Sequence, residues 1–304
     1  MAGSLNRRAF LGKTLTMSTG AAVGLSLEDQ TLLAKLNEKE SGPEHKGNRE
    51  LQRGKIGNLE ISRLICGGNL FSGYAHSRNL AYVSALMKHY FTPEKIMDTL
   101  ELSEQNGINT TIMLCEEYII NVLNRYRNER GGKIQWIAQT HVIVEQEESI
   151  KVAVDNGAVG VFIQGQMGDD LVADGRIDYI CQLLSLIKSN GLIAGVGSHT
   201  LAVPGTLEKE GLEPDFYFKT LNSKGYWSEQ PEQIADFMKT VHNPWIAFKV
   251  LAAGAVQPRQ GFELAFRMGA DFLNIGMFDF QIAEDVSTVS ELLTQGIQRE
   301  RPWS

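Results

Sequence analysis

Short apolar segments alternate with amphipathic segments along most of the chain, beginning near residue 60. The apolar segments are continuous hydrophobic runs, which is typical of parallel strands buried on both faces. The intervening segments place their apolar residues at helical spacing. The pattern predicts eight strands, at Arg63–Asn69, Thr110–Leu114, Ile134–Val142, Val159–Gly165, Leu192–His199, Phe216–Asn222, Trp245–Gly254 and Asp271–Asp279.

Helix start and stop signals agree with this alternation. Thr92 precedes Pro93 and Glu94, which is the order of an N-cap residue followed by proline at the first helical position. Gly107 then supplies the stop signal. Helices are therefore predicted at Thr92–Asn106, Gln230–Val241, Pro258–Met268 and Ile282–Leu293.

Eight strand–helix units in roughly 250 residues match the size and repeat number of a (β/α)8 TIM barrel. The alternative is a doubly wound open sheet, but no Gly-x-Gly-x-x-Gly turn follows the first strand. The segment Leu51–Ile61, centred on Gly57 and Asn58, predicts a β-hairpin that plugs the bottom of the barrel. We assign residues 51–304 to one barrel domain.

The N-terminal segment has the layout of an export signal. Arg7 and Arg8 precede a mildly apolar, uncharged stretch, as in a twin-arginine signal, and we assign residues 1–30 to it. Residues 31–50 are polar and form a linker. The alternative is a chance arginine pair before a disordered tail. A true signal implies the twin-arginine export machinery as a partner and a folded protein delivered to the periplasm or the exterior.

Net charge, the length of the apolar stretches and the cysteine spacing exclude several classes of protein. The 304 residues carry a net charge of −7, with no basic run beyond the N-terminus, which argues against nucleic-acid binding. No apolar stretch approaches the ~20 residues of a membrane span, so no transmembrane segment is expected. Three cysteines without close spacing form neither a disulfide framework nor a zinc motif. One Cys66–Cys115 bridge would be compatible with neighbouring strands, but we favour buried free thiols.

Two consecutive predicted strands each carry a lysine within an apolar run, Lys219 and Lys249. A buried ammonium is costly, so such lysines are paired, snorkel to the surface, or act chemically. Two nearby ammonium groups would lower each other's pKa, and a neutral lysine attacks a carbonyl to form a Schiff base. The pair therefore suggests catalysis on a carbonyl-bearing small molecule.

Active sites of this fold lie at the C-terminal ends of the strands. Glu117, His141 and His199 are expected there as groups that assist the lysines. With Asp279 they would also form a mixed histidine–carboxylate site for a divalent metal, although their spacing matches no metal motif. Substrate contacts are expected from Asn69, His76, Gln164, Asn222, Tyr226, Trp227 and Asp279.

Several segments resemble the aldo/keto reductases. Gly54–Leu64 followed by Cys66-Gly67-Gly68 is similar to the opening hairpin and first strand of that family. Gly107-Ile108-Asn109, Gly195–Ser198 and Phe248–Gly254 lie in register with further family segments. The resemblance implies the barrel fold from about residue 51 to about residue 280.

The catalytic groups of that family are not retained. Its Asp, Tyr, Lys and His positions correspond here to Ile112, Glu117, Thr140 and Gln164, and Asp279-Phe280-Gln281 replaces its basic phosphate-binding segment. The resemblance therefore implies a related barrel that does not use NADPH.

We expect lyase, aldolase or isomerase chemistry on a carbonyl compound, such as a sugar derivative, with Lys219 and Lys249 as nucleophile or acid–base groups. One alternative is a reductase with a rearranged tetrad that uses Tyr118. Another is a non-catalytic sugar-binding barrel. The cofactor is left open, with a divalent metal as one option, and so is the oligomeric state.

Overall fold

The computed structural model describes residues 51–74 and 80–304. The chain opens with an antiparallel hairpin of β1 (Arg53–Ile56) and β2 (Leu59–Ser62). Gly57 at its turn has φ +57°, a conformation that glycine adopts without strain. The predicted hairpin is confirmed. The predicted export signal, the linker and His76 lie outside the described residues.

Eight parallel strands follow and close into a barrel, in the order β10-β3-β4-β5-β6-β7-β8-β9. The predicted (β/α)8 barrel is therefore confirmed, and the doubly wound sheet is excluded. The strands are β3 (Leu64–Gly67), β4 (Thr110–Leu114), β5 (Gln135–Gln139), β6 (Gly160–Ile163), β7 (Ile193–Ser198), β8 (Phe216–Thr220), β9 (Trp245–Phe248) and β10 (Phe272–Ile275).

Helices alternate with these strands and cover the outside of the barrel. The second one begins at the predicted cap, where Thr92 Oγ1 accepts from the Lys95 amide. None of the described helices is long and apolar enough to cross a bilayer. They are α1 (Val83–Tyr90), α2 (Pro93–Gln105), α3 (Glu117–Arg130), α4 (Gln146–Asp155), α5 (Gly165–Ala173), α6 (Ile177–Ser189), α7 (Ala202–Lys209), α8 (Pro231–Met238), α9 (Pro258–Arg267) and α10 (Ile282–Gln295).

The apolar side chains separate into two cores because successive side chains of a strand point to opposite faces. One core lies between the strands and the helices. The other fills the barrel interior and includes hairpin residues Ile56 and Ile61, so the hairpin plugs the barrel as predicted. Its strand residues are Ile65, Ile112, Ile137, Phe162, Ile193, Phe216, Phe218, Ile246, Phe248 and Phe272.

Seven of the eight barrel strands are shorter than predicted, and three of them end three or more residues before their predicted C-terminal ends. The prediction Trp245–Gly254 is wrong beyond Phe248, because Lys249 (φ +55°), Ala252 (φ +46°) and Ala253 (φ +55°) adopt left-handed backbone conformations that no strand can contain. The last strand similarly ends at Ile275, before the 3-10 turn Asp279–Gln281.

The third overlong strand prediction, Ile134–Val142, is wrong beyond Gln139. The chain turns there, and the His141 ring accepts a hydrogen bond from the Ile143 amide (3.2 Å). His141 and Lys249 therefore lie on loops rather than on strands.

The cysteines are free thiols, as favoured above: Cys66 and Cys115 are buried and Cys181 is exposed. Burial raises the pKa of both Cys66 and Cys115 to about 11, which makes these thiols unreactive near neutral pH.

Candidate functional site

Successive side chains of a strand point alternately into and out of the barrel, and this determines which of them line its mouth. Phe162, Phe218 and Phe248 form an aromatic floor, with Phe218 and Phe248 stacked at 4.1 Å between ring centroids. Positions two residues beyond inward-facing residues also face inward. This rule places Gln139, Gln164, His199 and Asn274 at the mouth.

Lys249 lies immediately after β9 at this mouth, and its side chain is surrounded by aromatic rings. Its Nζ is 5.7 Å from the ring centroids of Tyr226 and Trp227 and 5.8 Å from that of Phe248. No carboxylate forms an ion pair with Lys249 in the described part of the chain. Burial alone therefore lowers the pKa of Lys249, to about 8, because the charged form loses hydration.

His199 contacts two of the same rings. Its imidazole lies 5.4 Å from Trp227 and 5.5 Å from Phe248, centroid to centroid. His199 Nδ1 is 2.9 Å from Asp169 Oδ2, so Nδ1 carries the proton and Nε2 is the ring nitrogen able to accept one. The amine and the imidazole therefore share one aromatic wall.

Asp169, on α5, holds this imidazole in place. Its carboxylate also accepts from the His199 amide and from the amide and hydroxyl of Thr200. Burial opposes ionisation of Asp169, but these hydrogen bonds outweigh it and hold the pKa of Asp169 below its usual value. A carboxylate that orients a histidine is a recurring arrangement for general acid–base catalysis.

Lys219 has a different environment from Lys249. It follows Tyr217, which belongs to the outer core, by two positions, so its side chain points away from the barrel interior. Its Nζ pairs with Glu229 (2.8 Å) and also donates to the His199 carbonyl oxygen (3.0 Å). Burial lowers the pKa of Lys219 despite the attraction of Glu229.

The expected mutual pKa depression of the two lysines is therefore wrong. Burial lowers the pKa of each, and neither ammonium acts on the other. Lys219 is completely buried and anchors the backbone that carries His199. We assign it a positioning role.

Asn222 organises the loop that carries the aromatic side chains. Its Nδ2 donates to the Tyr226 carbonyl oxygen, and its Oδ1 accepts from the amides of Lys224 and Tyr226. Trp227, the next residue, has φ +52° and is 56% exposed. A bulky residue in this conformation is strained, and such strain is concentrated at functional sites.

Four other predicted residues, all within the described part of the chain, do not join this cluster. Asp279 accepts from Tyr90 (2.6 Å) and pairs with Lys95 (2.9 Å), which ties the turn after β10 to α1 and α2. Glu117 is exposed at the start of α3, and Asn69 is exposed after β3. His141 is half-buried on the loop after β5.

A metal centre has little geometric support. Within residues 51–74 and 80–304, no three His, Cys, Asp or Glu side chains are grouped closely enough to hold a metal ion. The four proposed ligands, Glu117, His141, His199 and Asp279, are not brought together.

Sequence reasoning missed four residues of this region. Gln139 and Asn274 were identifiable from strand alternation once the inward face was known. Asp169 and Glu229 lie on a helix and a loop, and nothing in their sequence context distinguishes them from solvated acids. Their roles depend on long-range contacts with His199 and Lys219.

Comparison with known proteins gives structural neighbours only. No family model and no curated protein matches the sequence. Two structures of a proposed aldo-keto reductase from Pseudomonas aeruginosa superimpose with TM-scores of 0.59 at 17% identity, covering 80% and 82% of this chain and 98% and 99% of theirs. An N-acetylneuraminic acid synthetase from Leptospira borgpetersenii superimposes with a TM-score of 0.50 at 11% identity, covering 83% of this chain and 93% of its own. These similarities show the shared barrel fold.

Proposed function

We propose that the protein is a TIM-barrel enzyme that forms a Schiff base between Lys249 and a carbonyl-bearing small molecule. The observation that carries this proposal is the position of Lys249, an amine with a pKa near 8 and no carboxylate partner among the described residues, on the aromatic wall that it shares with His199. Lysines desolvated in this way are the ones that act as nucleophiles.

The reaction begins with the neutral amine. The Lys249 nitrogen bonds to the carbonyl carbon, the C=O electron pair moves to oxygen, and protonated His199 supplies a proton to give a carbinolamine. One proton moves from the carbinolamine nitrogen to its hydroxyl group, water leaves, and a protonated imine remains. Hydrolysis reverses these steps and regenerates the amine, so no external oxidant or reductant is needed.

The protonated imine is an electron sink, which favours lyase or aldolase chemistry. When a hydroxyl group lies β to the imine carbon, Nε2 of His199 accepts the hydroxyl proton. The carbon–carbon bond then breaks, its electron pair moves toward nitrogen to give an enamine, and the hydroxyl-bearing fragment leaves as a carbonyl compound. The His199 imidazolium returns its proton to the enamine carbon, which restores the imine for hydrolysis. Asp169 stabilises the imidazolium that forms.

Trapping with cyanoborohydride tests this proposal. The protein is treated with glycolaldehyde, dihydroxyacetone, pyruvate, glucose or fructose, and the adduct is located by peptide mass spectrometry. We expect one rapid adduct at Lys249 with at least one of these compounds, and its loss in Lys249→Met.

Lys224→Met is the matched control, because Lys224 is an exposed lysine of the neighbouring loop. This variant should retain the adduct. Slow labelling spread over surface lysines, unchanged in Lys249→Met, would overturn the proposal. Such a result together with sugar binding would identify a non-catalytic binding barrel.

The same preparations test for a nicotinamide or a metal. Tyr118 gives a reductase less support, because its hydroxyl donates to the Phe91 carbonyl oxygen (3.1 Å) and burial raises its pKa. Quenching of tryptophan fluorescence by NADPH would favour the reductase. About one equivalent of zinc, manganese or iron in elemental mass spectrometry would favour metal-assisted chemistry.

We also propose export through the twin-arginine route, supported by Arg7 and Arg8 and the apolar stretch that follows them. Arg7→Lys combined with Arg8→Lys should retain the protein in the cytoplasm, whereas the unaltered chain is exported. Equal export of both would contradict this assignment.

A further inference from the structure

Exposed large apolar side chains are concentrated at the mouth of the barrel. In the part of the chain that the structure describes, all of them except Trp303 lie between the C-terminal end of a strand and the next outer helix, or in the first turn of that helix. Here α1 is counted with the connection from β3 to α2. Single exposed apolar residues are ordinary, but apolar residues collected at one end of a protein mark a binding surface.

Ile143 is one of these side chains, and its loop is held in a fixed shape. It is 83% exposed on the loop after β5. The buried Gln146 side chain donates to the carbonyl oxygens of His141 and Val144. The Ile143 amide donates to the His141 ring. An isoleucine that a braced loop keeps in solvent loses little conformational freedom when a ligand covers it.

Phe280 and Trp227 are presented in the same way. Phe280 is 72% exposed on the 3-10 turn after β10, where its ring stacks on Phe278 at 5.3 Å between centroids. The Gln281 side chain accepts from the Phe278 amide and closes this turn. Exposed Trp227 keeps its strained backbone conformation in the loop that Asn222 organises. Holding large apolar side chains in water on braced turns is costly unless a ligand covers them.

Ile143, Trp227 and Phe280, which we call the apolar rim, lie on different sides of Lys249. The strand order β8-β9-β10 places the segment of Lys249, after β9, between the turns of Trp227 and Phe280. The strand before Ile143, β5, is four strands away from β9 in either direction, so Ile143 lies across the mouth. A molecule bonded to Lys249 is therefore flanked by apolar side chains and faces another.

We propose that the substrate is an aldehyde or ketone with a long alkyl chain, whose carbonyl group reacts with Lys249 and whose chain lies against the apolar rim. This inference rests on the proposed function for the carbinolamine and imine steps at Lys249, and it adds the substrate class.

The position of the rim around the mouth favours this occupant over a permanent one. A protein bound to the rim would close the mouth to the carbonyl compound. An alkyl chain carried by the substrate covers the rim only while the carbonyl group is at Lys249. A flexible chain also reaches turns on both sides of the mouth. Each fully buried methylene group strengthens binding by a factor of about four, so the rim would discriminate strongly by chain length.

Trapping with cyanoborohydride measures this dependence with propanal, pentanal and octanal at equal micromolar concentrations. The three aldehydes share one reactive group, so their differences report binding of the chain. Exposed Lys209, at the far end of α7, is the internal reference. We expect the ratio of adduct at Lys249 to adduct at Lys209 to rise at least tenfold from propanal to octanal. Burial of about two of the five added methylene groups is enough for this increase.

Ile143→Ser is the decisive variant. It should lower the octanal-to-propanal ratio at Lys249 at least threefold with an unchanged Tm, because this side chain is mostly exposed and supports no core. Phe280→Ser should act in the same direction. Ile297→Ser, the same replacement at a half-buried position after the C-terminal end of α10, is the matched control and should leave the ratio unchanged.

Equal labelling by propanal and octanal within twofold, or a ratio that Ile143→Ser does not change, would overturn the inference. A dimer in light scattering that Ile143→Ser dissociates would also overturn it, because the rim would then be an interface between two copies.

The two proposals fail separately. Lys249→Met forms no imine at this position, and tryptophan fluorescence measures its binding of the same aldehydes. Tighter binding of octanal than of propanal that Ile143→Ser abolishes, without an adduct at Lys249 in the unaltered protein, supports the alkyl chain and overturns the Schiff base. An adduct at Lys249 that forms equally with all three aldehydes overturns the inference alone.

Discussion

At the scale of single residues, Lys219 and Lys249 differ because only Lys219 forms an ion pair among the described residues. Lys219 is completely buried and paired with Glu229, so its charge is used to hold the His199 backbone. Lys249 is half-buried among aromatic rings, without an ion pair in the part of the chain described. An unpaired amine in a desolvated place loses its proton more readily, which makes it the nucleophile of the two.

The reactivity of Lys249 should follow its lowered pKa. Its pKa is about 8, against 10.5 for an ordinary lysine, so the neutral amine accumulates as the pH rises through 8. Reductive methylation at limiting reagent, measured by peptide mass spectrometry from pH 6 to 10, should level off for Lys249 above about pH 9. Superimposable profiles for Lys249 and exposed Lys224 would contradict this prediction.

The same shift implies that Lys249 reduces stability at neutral pH. The folded-state pKa lies below the unfolded value, so the unfolded chain binds this proton more tightly. The destabilisation that Lys249 causes has its full size below about pH 8 and disappears as the pH rises from 8 to 10.5. Lys249→Met should therefore raise the free energy of unfolding by about 1–3 kcal/mol at pH 7.

Urea denaturation of both proteins at pH 7 and pH 10 measures this difference. The stabilisation should become much smaller at pH 10. A variant that is less stable than the parent at pH 7 would show that the side-chain packing of Lys249 outweighs its desolvation.

At the scale of elements, the segment between β8 and α8 assembles the site. Asn222 fixes the backbone that presents Tyr226 and Trp227, and Glu229 connects Lys219 to the Leu201 amide just before α7. One loop thereby positions the aromatic wall and supports the histidine.

Glu229→Gln should destabilise the protein by about 3 kcal/mol, because it removes the carboxylate that pairs with the buried Lys219 ammonium. Thermal unfolding measures the loss, and the rate of adduct formation at Lys249 shows whether the loop is disturbed. Glu232→Gln, at an exposed position in the first turn of α8, is the control and should cost less than about 1 kcal/mol. Equal effects of the two substitutions would argue against the ion pair.

At the scale of the whole molecule, the two ends of the barrel have different tasks. The candidate site occupies the C-terminal ends of the strands, and a cluster of charged groups secures the opposite end. There Asp271, just before β10, pairs with Arg299 (3.2 Å) and Arg301 (3.1 Å) of the C-terminal segment. Arg63, just before β3, donates to the Asp271 carbonyl oxygen, and its guanidinium lies over the Trp303 ring.

Asp271→Ala should cost about 3–5 kcal/mol, because it leaves two buried guanidinium groups without a countercharge. Burial already lowers the pKa of Arg299 to about 10, even with Asp271 present. Chemical denaturation measures the loss. Asp236→Ala, which removes an exposed pair with Lys239, is the control and should change stability by less than about 1 kcal/mol.

The barrel, its hairpin and the helix caps were predictable from the sequence because they depend on local patterns. Continuous apolar runs indicate buried parallel strands, and Thr92 with Pro93 marks a helix start wherever it occurs. The positions of the strand ends were harder to predict, since nothing in the local sequence indicates that Lys249 adopts φ +55°.

The sequence alone also identified Lys249 and His199 as candidate catalytic residues. Lys249 follows an apolar run, where an ammonium group is costly, and His199 ends a predicted strand at the active-site face. Only the tertiary structure decided that Lys219 faces outward toward Glu229, and that Asp169 on α5 holds His199. One residue of register reverses a side chain's direction, and a contact across 30 residues leaves no local signature. Local patterns therefore determined the elements, whereas long-range packing determined which of their polar groups meet.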